Sequence, residues 1–299
     1  MLHADLPVIS AALRLSHRPA VLALALLALV IGLACMTRPA QAATLIVADL
    51  NDGGAGSLRQ AIVNANAGDT ITFDNTLSGQ TITLTSGQLS ITQSLTIDGD
   101  LNDDGVPDIT ISGNNLSRVF KINTTNPDTA TLEGLNITNG NSPGGGGILA
   151  SGGTLTVTHS TVSGNSVIGG SGSTGGGGIY AVGATLTVIH STVSGNSVGD
   201  GGIGGGGIYA VAGTLTVTHS TVSGNSGGFD GHGGGIYAVD GTLTVTNSTL
   251  ASNSASSGGA LYIDSNASVT NVTFSRNSAT DSGGAMLTGS TLTLTNVIL

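Results

Sequence analysis

The sequence repeats itself from residue 144 onward. Each repeat begins with a cluster of glycines and continues through an apolar residue and a run such as TLTVT, and all but the last end in Asn-Ser. Repeats of this length are typical of solenoids, in which each repeat is one structural unit that buries its apolar face against its neighbours. The first apolar residue after the glycines recurs at intervals of about 25 to 31 residues. These residues are Ile148, Ile179, Ile208, Ile236, Leu261 and Met286.

Within each repeat, apolar and polar residues alternate over three short runs rich in β-branched side chains. This period of two indicates strands. Three strands cannot close a sheet alone, but stacked coils pair each strand with its copy in the next coil. We therefore predict an all-β, right-handed parallel β-helix with three short strands per coil. The expected inward residues are Ile148, Leu155, Val157 and Val162 in the first regular coil, and Ile236, Leu243, Val245 and Leu250 in the fourth.

Composition excludes several other classes of protein. Hydrophobic residues make up 39% of the chain and charged residues 8%, which is the reverse of a disordered composition. The 49 glycines lack the strict three-residue period of collagen. A net charge of −10 disfavours nucleic acid as a partner, because a phosphate backbone attracts basic proteins.

Residues 1–42 have the pattern of an export signal. A basic segment containing Arg14 and Arg18 precedes an apolar run, and the segment ends in Ala40-Gln41-Ala42, a small-x-small cleavage site. The apolar run is too short to span a bilayer as a helix, so we expect cleavage after Ala42 and no membrane-spanning mature chain. Lipidation at Cys35 is the alternative. Either route predicts an exported protein, extracellular or at the cell surface in association with the outer membrane.

The mature chain divides into two regions. Residues 43–143 contain less regular alternations and one amphipathic helix beginning after Ser57, which we expect to cap the N-terminal end of the β-helix. Residues 144–299 hold the regular glycine-rich coils, and no cap follows them. We therefore expect a truncated chain whose last coil could associate end to end with another copy.

Several segments resemble known exported bacterial proteins. The stretch GSLRQAIVNANAGDTITF at 56–73 is similar to the N-terminal segment of β-helix proteins with a C-S-L-R-E-A motif, with Gly56 in place of Cys and Gln60 in place of Glu. The stretch FSRNSATDSGGAM at 274–286 resembles the repeats of polymorphic outer membrane proteins. The resemblance implies export and a pectin-lyase-like fold. It leaves the activity open, since such proteins include adhesins, surface proteins and relatives of polysaccharide lyases.

One acidic turn has the oxygen-ligand spacing of a calcium loop. Asp100, Asn102, Asp104 and Asp108 fit the pattern D-x-N-x-D-G-x-x-D, in which Gly105 permits a sharp turn. Residue 111 is isoleucine where an EF-hand has glutamate, so an EF-hand is excluded. We predict a structural Ca²⁺ site, with a solvated Asx-rich turn as the alternative.

Three columns of side chains recur from coil to coil. An asparagine column is expected to form a structural hydrogen-bonded ladder. A column of His159, His190 and His219 continues as asparagine in later coils, which favours a turn position over a metal site. The tyrosine column is expected to face outward, either as an aromatic ladder or as a sugar-binding surface. The asparagine column is Asn165, Asn196, Asn225, Asn253 and Asn277, and the tyrosine column is Tyr180, Tyr209, Tyr237 and Tyr262.

Residues suited to catalysis are scarce. Asp240 and Asp264 at turns of successive coils are weak candidates for the acid pair of a glycoside hydrolase, and two solvated turn residues are the simpler interpretation. The sequence therefore favours a non-enzymatic secreted or cell-surface protein, adhesin-like or structural, that contacts glycans or other surfaces. The alternative is a polysaccharide lyase or glycoside hydrolase of pectin-lyase-like fold.

Overall fold

The computed structural model describes residues 41–168 and 173–299. Residues from Ala42 to Leu299 form one compact unit. The predicted signal and Cys35 lie outside the described residues, apart from Gln41 and Ala42, and they stay predictions. In the part of the chain described, no helix is long and apolar enough to cross a membrane.

The described chain is a parallel β-helix, which confirms the predicted fold class. Neighbouring strands pair in parallel and in register, so that Ile179 pairs with Ile148 on one side and with Ile208 on the other. Each regular coil runs through three sheets in a fixed order, here called the first, second and third sheet. The parallel pairing follows from the repeat itself, because equivalent residues of successive coils meet directly.

The strands of the three sheets have the following bounds. The first sheet contains Leu89–Ile91, Phe120–Asn123, Ile148–Ser151, Ile179–Val182, Ile208–Val211, the start of Ile236–Thr246, the start of Leu261–Ser275, and Met286–Thr288. The second contains Thr44–Val47, Asp69–Phe73, Leu95–Asp98, Thr129–Glu133, Thr154–Thr158, Thr185–Ile189, Thr214–Thr218, the later parts of the two long strands, and Leu292–Ile298. The third contains Thr81–Thr83, Ile109–Ser112, Leu135–Thr138, Thr161–Ser163, Thr192–Ser194, Thr221–Ser223, Thr249–Ala251 and the ends of Leu261–Ser275 and Leu292–Ile298.

Shorter elements lie outside these sheets. Ser166–Val167 pairs with Ser197–Val198, and Ser254–Ser257 pairs with Ser278–Ser282, so several coils carry a fourth short strand that the sequence did not predict. A 3₁₀ turn spans Asn75–Leu77.

The core is a continuous apolar column inside the rod. All eight inward residues predicted for the first and fourth regular coils are buried, with exposures of 0 to 1%. The last coil is less covered: Leu294 is 44% exposed, whereas Val269, its neighbour in the same column, is fully buried. End-to-end association through this coil stays a prediction.

The predicted helix spans Leu58–Asn64, and the Ser57 side chain accepts a hydrogen bond from the Gln60 N–H at its start. Leu58 and Ala61 are buried, and the helix packs against the strands Thr44–Val47, Asp69–Phe73 and Leu89–Ile91. The helix comes just before the second-sheet strand Asp69–Phe73. In later coils, a first-sheet strand occupies that position in the chain. The helix thus covers the N-terminal side of the first sheet.

Close backbone packing at the corners of the coils explains why the chain contains so many glycines. A Cβ on Gly206 would clash with the carbonyl oxygen of Gly234 in the next coil, and the same close approach recurs at the equivalent glycines. Close contact between backbones at this corner therefore excludes a side chain. The variable segments lie beside this corner, between the third sheet and the next first-sheet strand.

Candidate functional site

The outer surface of the second sheet carries an unbroken column of hydroxyl side chains. Ten strands are in register along it, and each contributes a threonine or a serine at the same position. We call this surface the threonine face. Its central column is Thr44, Thr70, Thr96, Thr131, Thr156, Thr187, Thr216, Thr244, Ser268 and Thr293.

Two flanking columns extend the threonine face. One contains Thr129, Thr154, Thr185, Thr214, Thr242 and Asn266, and the other contains Thr158, Ile189, Thr218, Thr246, Thr270 and Thr295. Asp98 and Glu133 occupy the second flank in earlier coils, and from Thr154 onward the strands of this sheet carry no charged residue. The regular coils therefore present a hydroxyl surface without charge.

The hydroxyls of the central column are free for a ligand. Among the described residues, Thr156, Thr187, Thr216 and Thr244 make no side-chain hydrogen bond to protein. By contrast, Thr242 donates to Thr214 in the flanking column over 3.2 Å. Strand geometry spaces these hydroxyls by about 4.8 Å between coils and about 6.6 Å along a strand. The recurring TLTVT is the sequence signal for this face, and by itself it indicates only a strand.

The four tyrosines form one stack on the first sheet. Ring centroids of Tyr180 and Tyr209 lie 5.1 Å apart with planes 7° from parallel, and those of Tyr209 and Tyr237 lie 4.7 Å apart at 6°. Tyr262 meets Tyr237 edge-on at 5.0 Å. Because the parallel rings cover one another's faces, these faces are not open to stack on a sugar ring. The geometry favours the aromatic ladder over the sugar-binding surface.

Burial changes the acidity of this stack. The pKa of Tyr209 is raised, first by burial and then by the neighbouring rings of Tyr237 and Tyr180. Burial also raises the pKa of Tyr237 and lowers the pKa of His232, whose ring lies 4.5 Å from that of Tyr262. These rings are half-buried, so the tyrosine stack is part of the packed wall of the rod.

The asparagine column runs inside the corner after the third sheet. The Asn196 side chain donates to the Asn225 Oδ1 over 3.0 Å, and Asn225 donates to Asn253 over 2.9 Å. The same oxygens accept backbone N–H groups, and Asn225 also donates to the Val193 carbonyl. Asn165, Asn196, Asn225 and Asn253 are fully buried. These contacts give the column a structural role.

A second buried polar column, made of serines, was not predicted from the sequence. Ser160, Ser191, Ser220 and Ser248 lie at the corner between the second and third sheets, with exposures of 2 to 5%. The N–H of each of the first three donates to the hydroxyl of the next over 3.1 to 3.2 Å. Only the register of successive coils shows this chain of bonds.

The histidine column lies beside these serines. His159, His190 and His219 all have positive φ, as do Asn247, Asn271 and Asn296 in the same column. Asparagine is tolerant of this left-handed conformation, which explains the change of residue type along the column. The rings of His159 and His190 stack at 5.1 Å between centroids, and those of His190 and His219 lie at the same distance with planes tilted by 43°. In the part of the chain described, no three His, Cys, Asp or Glu side chains converge as a metal site.

The acidic turn at 99–108 lies at the same corner, between the strands Leu95–Asp98 and Ile109–Ser112. Asp100 accepts the N–H groups of Asp104 and Gly105, and Asp104 accepts that of Val106. Asp108 accepts the N–H of Leu101. These Asx-turn contacts use only part of the acceptor capacity of the carboxylates, so they neither require nor exclude a bound Ca²⁺. The calcium site stays a prediction.

The weak catalytic candidates lie at one edge of the first sheet. Asp240 and Asp264 are both exposed, and Asp264 pairs with Val239 of the preceding coil. The arginine and lysine side chains, which are the types that could act as the base of a lyase, lie elsewhere. Arg118 is buried and donates to the carbonyls of Gly145, Pro143 and Gly144, and burial lowers its pKa.

The other basic residues are also dispersed. Arg59 is paired with Asp52. Lys121 lies on Phe120–Asn123 of the first sheet, whereas Arg276 follows the third-sheet end of Leu261–Ser275, in the coil that begins five coils later at Leu261. Five coils correspond to about 24 Å along the rod. Lys121 and Arg276 therefore do not belong to one catalytic group.

Comparison with known proteins adds little beyond the fold. No protein-family model and no curated protein matches the sequence. A solved pectate lyase, Pel9A, aligns over 87% of this chain and 79% of its own, with 15% identity and a TM-score of 0.44. A mutant of the PL6 family alginate lyase AlyGC aligns over 85% of this chain and 40% of its own, with 16% identity and a TM-score of 0.41. Likeness at this level assigns no activity to this chain.

Proposed function

We propose that this is an exported, non-enzymatic β-helix protein of the cell surface or its surroundings, adhesin-like or structural, that binds neutral glycans through the threonine face. The observation that supports this proposal most strongly is the ten-residue hydroxyl column, whose flanks carry no charge from Thr154 onward. A rigid array of this kind suits a repeating, hydroxyl-rich polymer better than a small ligand.

The chemistry of the face fits uncharged sugars. Each threonine offers one donor, two acceptor lone pairs and a methyl group, and its β-branched side chain is stiff at χ1. A polysaccharide along the rod can repeat the same hydrogen bonds and methyl contacts at every coil. Each contact is weak, but contacts made by one polymer add up because each holds the next sugar near the face.

Charge decides between neutral and acidic glycans. The chain has a net charge of −10, so an anionic polysaccharide is repelled over distances of about 10 Å or less at moderate salt. From Thr154 onward, the threonine face offers no cation to offset this repulsion. Neutral glycans are therefore the partner class that we propose.

A lyase or hydrolase is the competing function. Lyase action on acidic sugars requires a base and a group that neutralises the sugar carboxylate. Arg118 is committed to backbone carbonyls and Arg59 to Asp52, while Lys121 and Arg276 lie far apart along the rod. This distribution favours binding without turnover.

The proposal is tested by retention on immobilised polysaccharides. One variant replaces Thr156, Thr187, Thr216 and Thr244 by valine, which keeps the side-chain shape and removes the hydroxyl. The matched control replaces Thr161, Thr192, Thr221 and Thr249 of the third sheet by valine. We expect the parent and the control to be retained on neutral polysaccharides more than on polygalacturonate or alginate, and the first variant to lose retention.

Three other outcomes count against the proposal. Release of oligosaccharide products would establish the enzymatic alternative. Equal retention of both variants would exclude the threonine face as the site. Loss of retention only after two tyrosines, such as Tyr209 and Tyr237, are changed to serine would assign binding to the tyrosine stack.

A further inference from the structure

The N-terminal end of the core contains a carboxylate where later coils have aliphatic residues. Asp69 is the first residue of the strand Asp69–Phe73, and its register partner in the next coil is Leu95. The same inward column continues as Ala130, Leu155, Leu186, Leu215 and Leu243. Asp69 points inward with them and is only 3% exposed.

This carboxylate contacts backbone N–H groups of two neighbours. Its Oδ1 accepts the N–H of Ala43 over 2.8 Å, and its Oδ2 accepts the N–H of Asn66 over 2.8 Å. Among the described residues, no basic side chain forms an ion pair with it. These backbone hydrogen bonds lower the pKa of Asp69, so the carboxylate is charged in the folded protein, and among the described residues no cation balances that charge.

Ala43 is the residue that follows the predicted cleavage site. Residues 41–44 are exposed, so the bond between Ala42 and Ala43 is accessible. The Ala43 carbonyl accepts the N–H of Thr70, and the first strand begins at Thr44. Ala43 is therefore held at both of its backbone polar groups, at the point where the ordered sheet begins.

We propose that hydrolysis of the Ala42–Ala43 bond by a signal peptidase creates the missing cation, and that the new α-ammonium group of Ala43 pairs with Asp69. Water adds across the bond: its oxygen joins the Ala42 carbonyl carbon to give a carboxylate, and both of its protons end on the Ala43 nitrogen to give the ammonium. The inference rests on the predicted export signal but does not depend on glycan binding.

The ion pair between Ala43 and Asp69 would link removal of the signal to the stability of the first coil. Before cleavage, Ala43 supplies one neutral N–H donor to Asp69. After cleavage, the same nitrogen carries a positive charge and three protons, and a charge-assisted hydrogen bond is about twice as strong as a neutral one. Removal of the signal therefore stabilises the first coil at the end of the rod that the helix also covers.

The first experiment is the mass and N-terminal sequence of the protein exported from a bacterial host with its own signal. We expect Ala43 as the first residue. A different first residue would overturn the proposal at the processing step, and it would leave the glycan-binding proposal untouched.

The second experiment is a double-mutant cycle on thermal unfolding. One change extends the mature chain by Gln41 and Ala42, which converts the Ala43 ammonium back to an amide. The other change is Asp69→Asn. We expect the extension to lower the midpoint when Asp69 is present and to have no effect in the Asp69→Asn background. Asp74→Asn, which removes a carboxylate that caps the Asn75–Leu77 turn, is the control and should leave the effect of the extension unchanged.

A third measurement does not require the variants to fold. The pKa of the Ala43 α-amino group in the mature protein is read by NMR after isotopic methylation. We expect it above the ordinary value of about 8, because the carboxylate favours the charged amine. An ordinary value, or an equal effect of the extension in both backgrounds, would overturn the ion pair.

Discussion

At the scale of single residues, stability depends most on buried polar groups whose partners lie in other coils. Asn225 accepts the N–H and the side-chain amide of Asn196 and donates to the Val193 carbonyl and to Asn253. Replacement by alanine leaves these groups buried without partners. We expect Asn225→Ala to lower the free energy of unfolding by about 2 to 4 kcal/mol, measured by thermal or denaturant unfolding.

The matched control for this change is Asn277→Ala. Asn277 occupies the same column and makes the equivalent bonds to Asn253 and to the Leu250 carbonyl, but it is half-buried. Water can replace its bonds, so the loss should be clearly smaller. Equal losses at both positions would show that burial does not set the strength of the column.

A second residue-scale prediction concerns acid stability. Burial tends to raise the pKa of Asp52, but hydrogen bonds from Ser86, Arg59 and Thr85 outweigh it and lower the pKa below its usual value. The stabilisation is therefore present above the unfolded pKa of about 4 and is lost as pH falls through the folded pKa. We expect Asp52→Asn to lower the melting temperature most at pH 7 and by progressively less as the pH falls from about 4 toward 2. A difference that stays constant across this range would contradict the assignment.

The acidic turn provides a third prediction at this scale. Burial raises the pKa of Asp98, and the charges of Asp100 and Asp103 add to the rise. A divalent cation bound at Asp100, Asn102, Asp104 and Asp108 would relieve this repulsion. If the turn binds Ca²⁺, a chelator should lower the melting temperature of the parent and leave that of Asp104→Ala unchanged. An unchanged midpoint in both proteins would leave only the Asx-rich turn.

At the scale of elements, the tyrosine stack stabilises the first sheet. Tyr209 lies between two parallel rings, whereas Tyr180 has one tyrosine neighbour and pairs with Leu149 on its other side. An aromatic pair contributes about 0.5 to 1.5 kcal/mol beyond area burial. We expect Tyr209→Ser to destabilise the protein more than Tyr180→Ser by about one such pair, measured by denaturant unfolding. Similar losses would indicate that the rings contribute through burial alone.

The elements also show where sequence reasoning succeeds and where it stops. Alternation in TLTVT identifies which residues point inward, and the Ser57 cap identifies the start of the helix, because both signals are local. The threonine column required the register between irregular coils, as in the pairing of Thr70 with Thr96 across loops of different length. The inward position of Asp69 follows from its alternation with Ile71 and Phe73, but its partners Ala43 and Asn66 could not be read from the sequence. The fold was therefore predictable, whereas the alignment of side chains into a surface was not.

At the scale of the whole molecule, each coil is stabilised by its two neighbours. Ile208 and Ile236 are register partners, so removal of residues 208–235 joins Gly207 to Ile236 and keeps the remaining coils in phase. We expect this deletion to yield a folded rod shorter by one coil, about 4.8 Å, measured by circular dichroism and small-angle scattering. The control deletion of residues 208–221 removes half a coil and should prevent folding. A folded product from the half-coil deletion would contradict the register.

The direction of the backbone hydrogen bonds has a mechanical consequence. Coil-to-coil bonds, such as those from Gly207 to Gly234 and from Ile208 to Gly235, join successive layers along the rod. A pull on the two ends therefore loads the layers in series and peels them one at a time. Each released coil of about 28 residues lengthens the chain by about 95 Å, against the 4.8 Å that it occupied in the rod. Under tension, such a rod behaves as an extensible tether that dissipates work in steps, and no single layer has to withstand the whole extension.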